Sequence, residues 1–277
     1  MKKIVRFLLL ALLSFVVGSI LSTVILTVLD SYGINSQSYP AMENFVPYLL
    51  SFGLWIVIMM SLSKKMHWKT PSYKIKIGKL NFPFILLSLI TIEVLCFVSE
   101  PLLEMIPDVM MDELTGIVTG GFWAMATAVV AAPLLEEFLF RGLFQQNFSC
   151  YVGRVWGVVL SAVIFGAVHI IPQQAVGAML CGLVIAVVYE LSGSLTTVII
   201  LHAINNGIAY LMMMTLGEGA SLSDIYMASS SSYWVVYTIL CLYLLGIGYL
   251  AFRRISKMDS PRVTRVELTD ESFKVTN

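Results

Sequence analysis

Residues 4–29 read IVRFLLLALLSFVVGSILSTVILTVL, an apolar run in which Arg6 is the one charged residue. The hydrocarbon core of a bilayer is about 30 Å thick, and a helix crosses it with about 20 residues. The run is long enough for such a crossing. It is also roughly twice as long as an ordinary signal-peptide core and lacks a small-x-small cleavage site. It therefore predicts a first transmembrane helix rather than a cleaved leader.

The rest of the chain is similarly apolar. Hydrophobic residues make up 58% of the sequence and charged residues 12%, with a mean hydropathy of +0.87, whereas about a quarter of a soluble domain is charged. The net charge is zero, which gives no case for a nucleic-acid partner. We predict an all-α bundle of about eight transmembrane helices in a lipid bilayer. The predicted spans are 4–29, 47–63, 81–99, 120–141, 155–171, 174–191, 195–214 and 233–252.

The distribution of basic residues predicts the orientation of these spans, because cytoplasmic loops carry an excess of Lys and Arg. With the N-terminus inside, every Lys and Arg falls on an inner segment or at an inner helix end. The inner segments are 1–3, 64–80, 142–154, 192–194 and 253–277. The outer loops, which contain no Lys or Arg, are 30–46, 100–119, 172–173 and 215–232. We therefore expect a multi-pass plasma-membrane protein with both termini in the cytoplasm.

The chain divides into a transmembrane domain, 1–254, and a polar cytoplasmic tail, 255–277. No loop between spans is long enough to fold alone, so any chemistry must come from the helices. Ionisable and polar residues inside spans concentrate at about 120–214, which is the predicted catalytic core. The four cysteines occur singly, with no CxxC pattern, and predict neither a disulfide framework nor a cysteine metal site.

The fourth predicted span, 120–141, contains three charged residues. A charge at the bilayer centre costs about 2.5–3.5 kcal/mol even on lenient scales, so such residues face a cavity, form pairs or have a function. Glu137 and Arg141 are four residues apart, share a helix face and can form an ion pair. Glu136 points about 100° away, which leaves it available for acid–base chemistry. Pro133 removes a backbone hydrogen bond just upstream and can kink the helix.

Two histidines and an asparagine lie in later spans. His169 is near the end of the fifth span, and His202 is inside the seventh, one helical turn before Asn206. A lone buried histidine is more often a core residue than a catalyst, but two of them with an unpaired glutamate favour a functional site. Such a set can activate water and stabilise an oxyanion. The GxSxG and HExxH patterns of serine and zinc hydrolases are absent, and no Asp lies in a predicted span.

The predicted spans leave one discrepancy in depth. His169 lies about 21 Å from the inner end of its helix, whereas His202 lies about 10 Å from the inner end of its own. Groups that act together must lie at a similar depth. Either the fourth and seventh helices start deeper than predicted, or 142–154 enters the membrane. The partly apolar stretch GLFQQNFSC, at 142–150, could form such a segment.

Three motifs carry a resemblance to a known family. EEFLFR (Glu136 to Arg141) fits EExxxR, FGAVH (Phe165 to His169) fits FxxxH, and HAINN (His202 to Asn206) fits HxxxN. In this order, on successive membrane helices, they resemble the motifs of the CPBP family. That family comprises the type II CAAX prenyl endopeptidases and the bacterial bacteriocin-processing or immunity proteins, also called the Abi family.

The resemblance implies a role for each motif residue. Glu136 would activate the attacking water with help from His169, and His202 with Asn206 would stabilise the oxyanion. The remaining motif residues would be structural: Glu137 and Arg141 would brace the helix, and Phe165 would pack beside His169. The family is commonly described as metalloproteases. Zinc or another divalent metal could accordingly bind to Glu136, His169 and His202.

The leading hypothesis is an intramembrane endopeptidase that hydrolyses a peptide bond in a membrane-associated peptide or membrane-anchored protein. A second hypothesis is a non-catalytic immunity or regulatory protein that binds a sensor or peptide. A third is a small carrier that uses the same Glu and His residues as a proton relay. The sequence contains no internal repeat that would support the carrier.

Overall fold

The computed structural model describes residues 2–33, 45–66, 80–107, 121–169, 171–216 and 231–259. These residues form helices and short turns, with no strand among them, so the all-α prediction is confirmed. The helices are α1 (Lys2–Ser31), α2 (Phe45–Met66), α3 (Phe82–Glu104), α4 (Phe122–Val152), α5 (Arg154–Ala167), α6 (Pro172–Ser192), α7 (Leu195–Leu216) and α8 (Ser231–Ser256).

Seven of these helices are long and apolar enough to cross a membrane, and α5 is not. The fifth predicted span, 155–171, was therefore too long. The helix there runs only from Arg154 to Ala167, about 21 Å at about 1.5 Å per residue. It ends because the chain turns at Val168 and His169 towards Pro172, which starts the next helix. The four longer predicted loops, 30–46, 64–80, 100–119 and 215–232, lie largely outside the described residues.

Helix α4 is longer than predicted and is irregular. Two π-helical segments, Ala126–Ala131 and Phe138–Gln145, flank an α-helical turn at Ala132–Glu137 in which Pro133 occupies the first turn. The helix then continues to Val152, so the prediction of an inner loop at 142–154 was wrong. π-Helical segments are frequent at functional sites, where they redirect side chains and backbone groups.

The continuation of α4 is buried against α5. Gly153, with φ 86°, reverses the chain between the two helices. A Cβ on Gly157 would lie 2.8 Å from Cα of Ser149, so a glycine is needed where the two backbones meet. Farther from the turn, the Ser161 hydroxyl donates to the carbonyl of Phe140 at 3.0 Å. Residues farther from Gly153 along α5 contact residues farther from it along α4, so α5 runs antiparallel to α4.

Helices α1 and α2 pack on the other side of α4 through aromatic rings. Phe7 of α1 makes an edge contact with Phe144 at 5.2 Å, and Trp55 of α2 lies 6.0 Å from Phe140. The opposite face of α1 exposes leucines, as expected of a helix in contact with lipid. A second apolar cluster joins α3, α6 and α7 around Ile92, whose side chain is fully buried. Helix α4 thus lies within the bundle, where its charged residues are covered.

Candidate active site

The charged residues of α4 form the predicted ion pair. Arg141 Nε lies 3.1 Å from Glu137 Oε2, and neither side chain is exposed. Arg141 also donates to the Ser161 hydroxyl and to the Gly182 carbonyl, each at 3.2 Å, and lies over the ring of Phe165. The ion pair, the two hydrogen bonds and the ring contact compensate a guanidinium charge that would otherwise be very costly inside an apolar bundle.

Glu137 has a second contact that the helix spacing could not predict. Its Oε1 lies 2.9 Å from His202 Nδ1 on α7. A carboxylate paired with arginine accepts hydrogen bonds, so Nδ1 of His202 carries the proton in this contact. In a neutral imidazole, Nε2 is then the acceptor. Glu137 therefore fixes the ring orientation and tautomer of His202. This contact gives Glu137 a direct part in the site, in addition to the predicted bracing of the helix.

Glu136 points away from Glu137, as its position on the helix predicts, and its two oxygens have different surroundings. Oε1 accepts a hydrogen bond of 2.7 Å from the hydroxyl of Tyr48. Oε2 faces His202 Nε2 at 4.0 Å, which is too long for a hydrogen bond. A water molecule about 2.8 Å from each atom would bridge that distance with acceptable angles. The carboxylate is 7% exposed, so it is largely covered by protein.

Tyr48 is the site residue that sequence reasoning missed. It lies near the start of α2, 88 residues from Glu136 in the sequence. A tyrosine near the end of a membrane span is ordinarily explained by the interfacial preference of aromatic residues. No local spacing connects it to the three motifs. Only the packing of α2 against α4 brings the hydroxyl to the carboxylate.

The two histidines meet at one phenylalanine. The ring of Phe165 lies 5.1 Å from that of His169 and 5.9 Å from that of His202. His169 follows the end of α5, and its Nδ1 lies 2.8 Å from the Phe165 carbonyl oxygen, so Nδ1 carries the proton there as well. The predicted discrepancy in depth therefore disappears. It arose because the fourth span was ended too early, at 141, whereas α4 continues to Val152 before α5 begins.

Asn206 lies one turn beyond His202 on α7. Its amide nitrogen donates to the carbonyl of Ala128 at 2.8 Å, and its amide oxygen accepts from Asn205 at 3.3 Å. Ala128 belongs to the first π-helical segment of α4, where the altered backbone pattern makes a carbonyl available to a side chain. One N–H of the Asn206 amide is thus engaged by backbone. The second N–H is the donor that an oxyanion would require.

The proposed metal ligands can be compared with this geometry. Glu136 and His202 face each other, but the described residues contain no group of three or more His, Cys, Asp or Glu side chains arranged to hold a metal ion. A catalytic zinc site ordinarily uses three protein ligands and one open position. The arrangement as it stands does not fit that donor set. Activation of a water by the side chains themselves needs no such donor set.

Comparison with protein families adds an independent observation. Residues 118–208 match the family described as Type II CAAX prenyl endopeptidase Rce1-like. The matched segment spans about a third of the chain and includes all three motifs, which confirms the resemblance they indicated. No curated protein and no solved structure matches the chain. Helix α2, which carries Tyr48, lies outside the matched segment.

Proposed function

We propose that this chain is an intramembrane endopeptidase that uses an activated water. Its residues 118–208 match the Type II CAAX prenyl endopeptidase Rce1-like family, which supports the proposal. The observation that carries the proposal is the pair formed by Glu136 Oε2 and His202 Nε2, which face each other at 4.0 Å. The other oxygen of Glu136 and the other nitrogen of His202 are each held by a hydrogen bond. A carboxylate and an imidazole oriented in this way suit general acid–base catalysis.

In the proposed reaction, the water lies between these two atoms. Glu136 accepts a proton from the water as the water oxygen bonds to the carbonyl carbon of the scissile peptide. The protonated Glu136 then donates that proton to the leaving nitrogen as the carbon–nitrogen bond breaks. The products are a carboxylic acid and an amine. Glu136 returns to its starting ionised form, so the proton balance closes.

The other polar residues would assist this step. Neutral His202 accepts a hydrogen bond from the water through Nε2, with Glu137 holding Nδ1. As the water oxygen bonds to the carbonyl carbon, its second proton would pass to Nε2, and the resulting imidazolium would donate that proton to the oxyanion, so His202 returns to its neutral form. Asn206 would supply its second N–H to the same oxyanion. His169, whose ring packs against Phe165, would assist Glu136 in orienting the water.

The surroundings of the site support the proposed substrate class. The reacting groups lie on helices of a multi-pass bundle, and Glu136 and His202 are both largely buried. A peptide or protein that is itself associated with the bilayer can reach such a site without first crossing water. We propose a membrane-associated peptide or membrane-anchored protein as the substrate, and the plasma membrane as the location. Binding of a divalent metal stays a prediction, which cleavage assays with and without a chelator test.

The test compares purified wild type with Glu136→Gln in liposomes, using a panel of prenylated and unprenylated peptides. The amide is nearly isosteric with the carboxylate but cannot act as a base, so cleavage should fall by at least about 100-fold. Glu93→Gln is the control for loss of a carboxylate inside the membrane, because Glu93 also lies within a helix long enough to span it, α3, and is not a motif residue. Cleavage products are quantified by mass spectrometry, with and without a chelator.

Three results have distinct meanings. Cleavage by wild type and Glu93→Gln but not by Glu136→Gln supports the proposed mechanism. Equal cleavage by all three proteins contradicts it. A Glu136→Gln protein that binds a peptide and keeps the cellular phenotype of the wild type would favour the non-catalytic immunity or regulatory function. Loss of wild-type activity on chelation, restored by added zinc, would support a metal.

A further inference from the structure

Helix α2 contributes to the site from outside the segment that matches the family. Tyr48 lies in its first turns and donates to Glu136 Oε1 at 2.7 Å. Hydrogen bonds to an ionised acceptor are shorter and stronger than those between neutral groups. The other Glu136 oxygen is the one that faces His202. The two oxygens of the base are therefore not equivalent in this bundle.

The ring of Tyr48 is held independently of its hydroxyl. It stacks on Phe52 with ring centroids 4.6 Å apart, and Phe52 in turn contacts Trp55 at 5.7 Å. Trp55 is 3% exposed, and its indole nitrogen donates to the Ala11 carbonyl at 3.1 Å. At the start of the same helix, Phe45 packs against Trp123 of α4 at 5.0 Å. Removal of the hydroxyl alone should therefore leave the ring where it is.

We propose that Tyr48 is a positioning residue for Glu136, which by holding Oε1 directs Oε2 towards the water and His202. A terminal carboxylate otherwise rotates broadly, because its last torsion has no sharp energy minima. With Oε1 held, rotation that would turn the catalytic lone pair away from the substrate costs a charge-assisted hydrogen bond. This inference rests on the proposed function, because it assigns Tyr48 a part in the same water activation.

The arrangement also explains why a tyrosine suits this position. Its hydroxyl stands at the end of a rigid ring, so it reaches across the gap between helices with only two side-chain torsions to fix. A serine or threonine on the same turn of α2 would be too short to span that gap. A lysine would carry a second positive charge towards a site where Arg141 already pairs with Glu137.

The test uses Tyr48→Phe, which removes the hydroxyl and keeps the ring. We expect kcat to fall by about 10- to 100-fold, the loss typical of a hydrogen bond to a charged group, with KM within about twofold of wild type. Tyr237→Phe on α8 is the matched control. Its hydroxyl also donates a hydrogen bond, to the Val98 carbonyl at 3.0 Å, and its ring packs against Phe97 and Tyr233 rather than against a motif residue. This control should keep wild-type kcat.

A purely structural effect is separated from positioning by a double-mutant cycle. In a Glu136→Asp background the shorter carboxylate no longer reaches both partners, so adding Tyr48→Phe should lower kcat far less than it does in wild type. If the two losses simply multiply, Tyr48 does not act through Glu136. Melting temperatures in detergent verify that each variant is folded.

The outcomes also separate this inference from the function on which it rests. If Glu136→Gln is inactive while Tyr48→Phe has wild-type or increased kcat, the positioning role is overturned and the proposed function stands. If Glu136→Gln cleaves like the wild type, the function itself fails. A selective loss of kcat in Tyr48→Phe, absent in Tyr237→Phe and suppressed by Glu136→Asp, supports the inference.

Discussion

The fully buried carboxylate of Glu137 contacts two ionisable side chains, those of Arg141 and His202. One oxygen lies 3.1 Å from Arg141 Nε and the other 2.9 Å from His202 Nδ1. These contacts serve different purposes. The pair with arginine compensates two charges that the bundle has removed from water, whereas the contact with histidine fixes the tautomer that the proposed reaction uses. The two purposes can be separated by mutation.

We expect Glu137→Gln to lower both stability and activity. The amide leaves the Arg141 guanidinium buried without its counter-ion, which costs about 3–5 kcal/mol in comparable sites. Replacing both residues, as Glu137→Gln with Arg141→Met, should recover much of the lost stability because no charge then remains unpaired. Activity should stay low, since His202 still lacks its carboxylate. Melting temperature and kcat, measured on the same preparations, provide the comparison.

A double variant that is no more stable than Glu137→Gln alone would contradict this account of the ion pair. A double variant that regains wild-type kcat would contradict the assignment of Glu137 as the partner that orients His202. The two readouts therefore test the structural and catalytic contacts separately. Arg141→Met alone serves as the remaining corner of the cycle.

Among the helices, the pairing of α4 with α5 sets the position of the site. The two meet at Gly157, where a Cβ would come within 2.7 Å of the Ser149 nitrogen and 2.8 Å of its Cα. Backbone atoms cannot move aside in the way that the flexible end of a long side chain can. Any larger residue must therefore push α5 away from α4. Because α5 carries Phe165 and leads to His169, that displacement would reach both histidines.

We expect Gly157→Ala to destabilise the protein by about 1–3 kcal/mol, the usual cost of overpacking, and to reduce activity. The matched control is Gly248→Ala on the lipid-facing part of α8, where an added Cβ meets nothing within 4 Å. That substitution should be neutral or slightly stabilising, since alanine favours a helix. Thermal unfolding in detergent measures both. Equal melting temperatures for the two variants would show that α4 and α5 separate at little cost.

The residues of two motifs were predictable because each of these motifs lies within one helix, α4 or α7, where a spacing of four places two side chains on one face. In the third motif only Phe165 is helical, because His169 follows the end of α5. The extent of α4 could not be predicted, because a charged residue such as Arg141 is typical of the end of a span. Its burial and its ion pair are visible only in the structure. The π-helical segments have no sequence pattern of their own. Tyr48 could not be found either, since its contact depends on how α2 packs across 88 residues of sequence.

For the whole molecule, the short α5 raises the question of which side of the membrane each terminus occupies. Seven long helices would place the termini on opposite sides if each crossed once and α5 did not count. However, α5 packs antiparallel to α4, and Gly166 of α5 meets Ala175 and Met179 of α6 across the next turn. Helices α5 and α6 thus form a hairpin that leaves one side of the bundle and returns to it.

A returning hairpin contributes an even number of crossings whether its tip reaches the far surface or stops inside the bilayer. Helices α1 to α4, α7 and α8 add six more if each crosses once, so we expect the termini on the same side. The last turns of α2 and α8 both carry basic residues, Lys64 with Lys65 and Arg253 with Arg254, as expected of cytoplasmic ends. The hairpin tip is also where His169 lies, so the fold brings this histidine into the bundle.

We therefore expect both termini in the cytoplasm. Single cysteines introduced as Lys2→Cys or Asp259→Cys, in a chain whose four native cysteines are replaced by serine, should resist a membrane-impermeant maleimide in intact cells and react after permeabilisation. A control cysteine placed beyond α3, at Pro107, should react in intact cells because that helix ends on the opposite side. Labelling of one terminus alone in intact cells would mean that α5 and α6 do not form a returning hairpin.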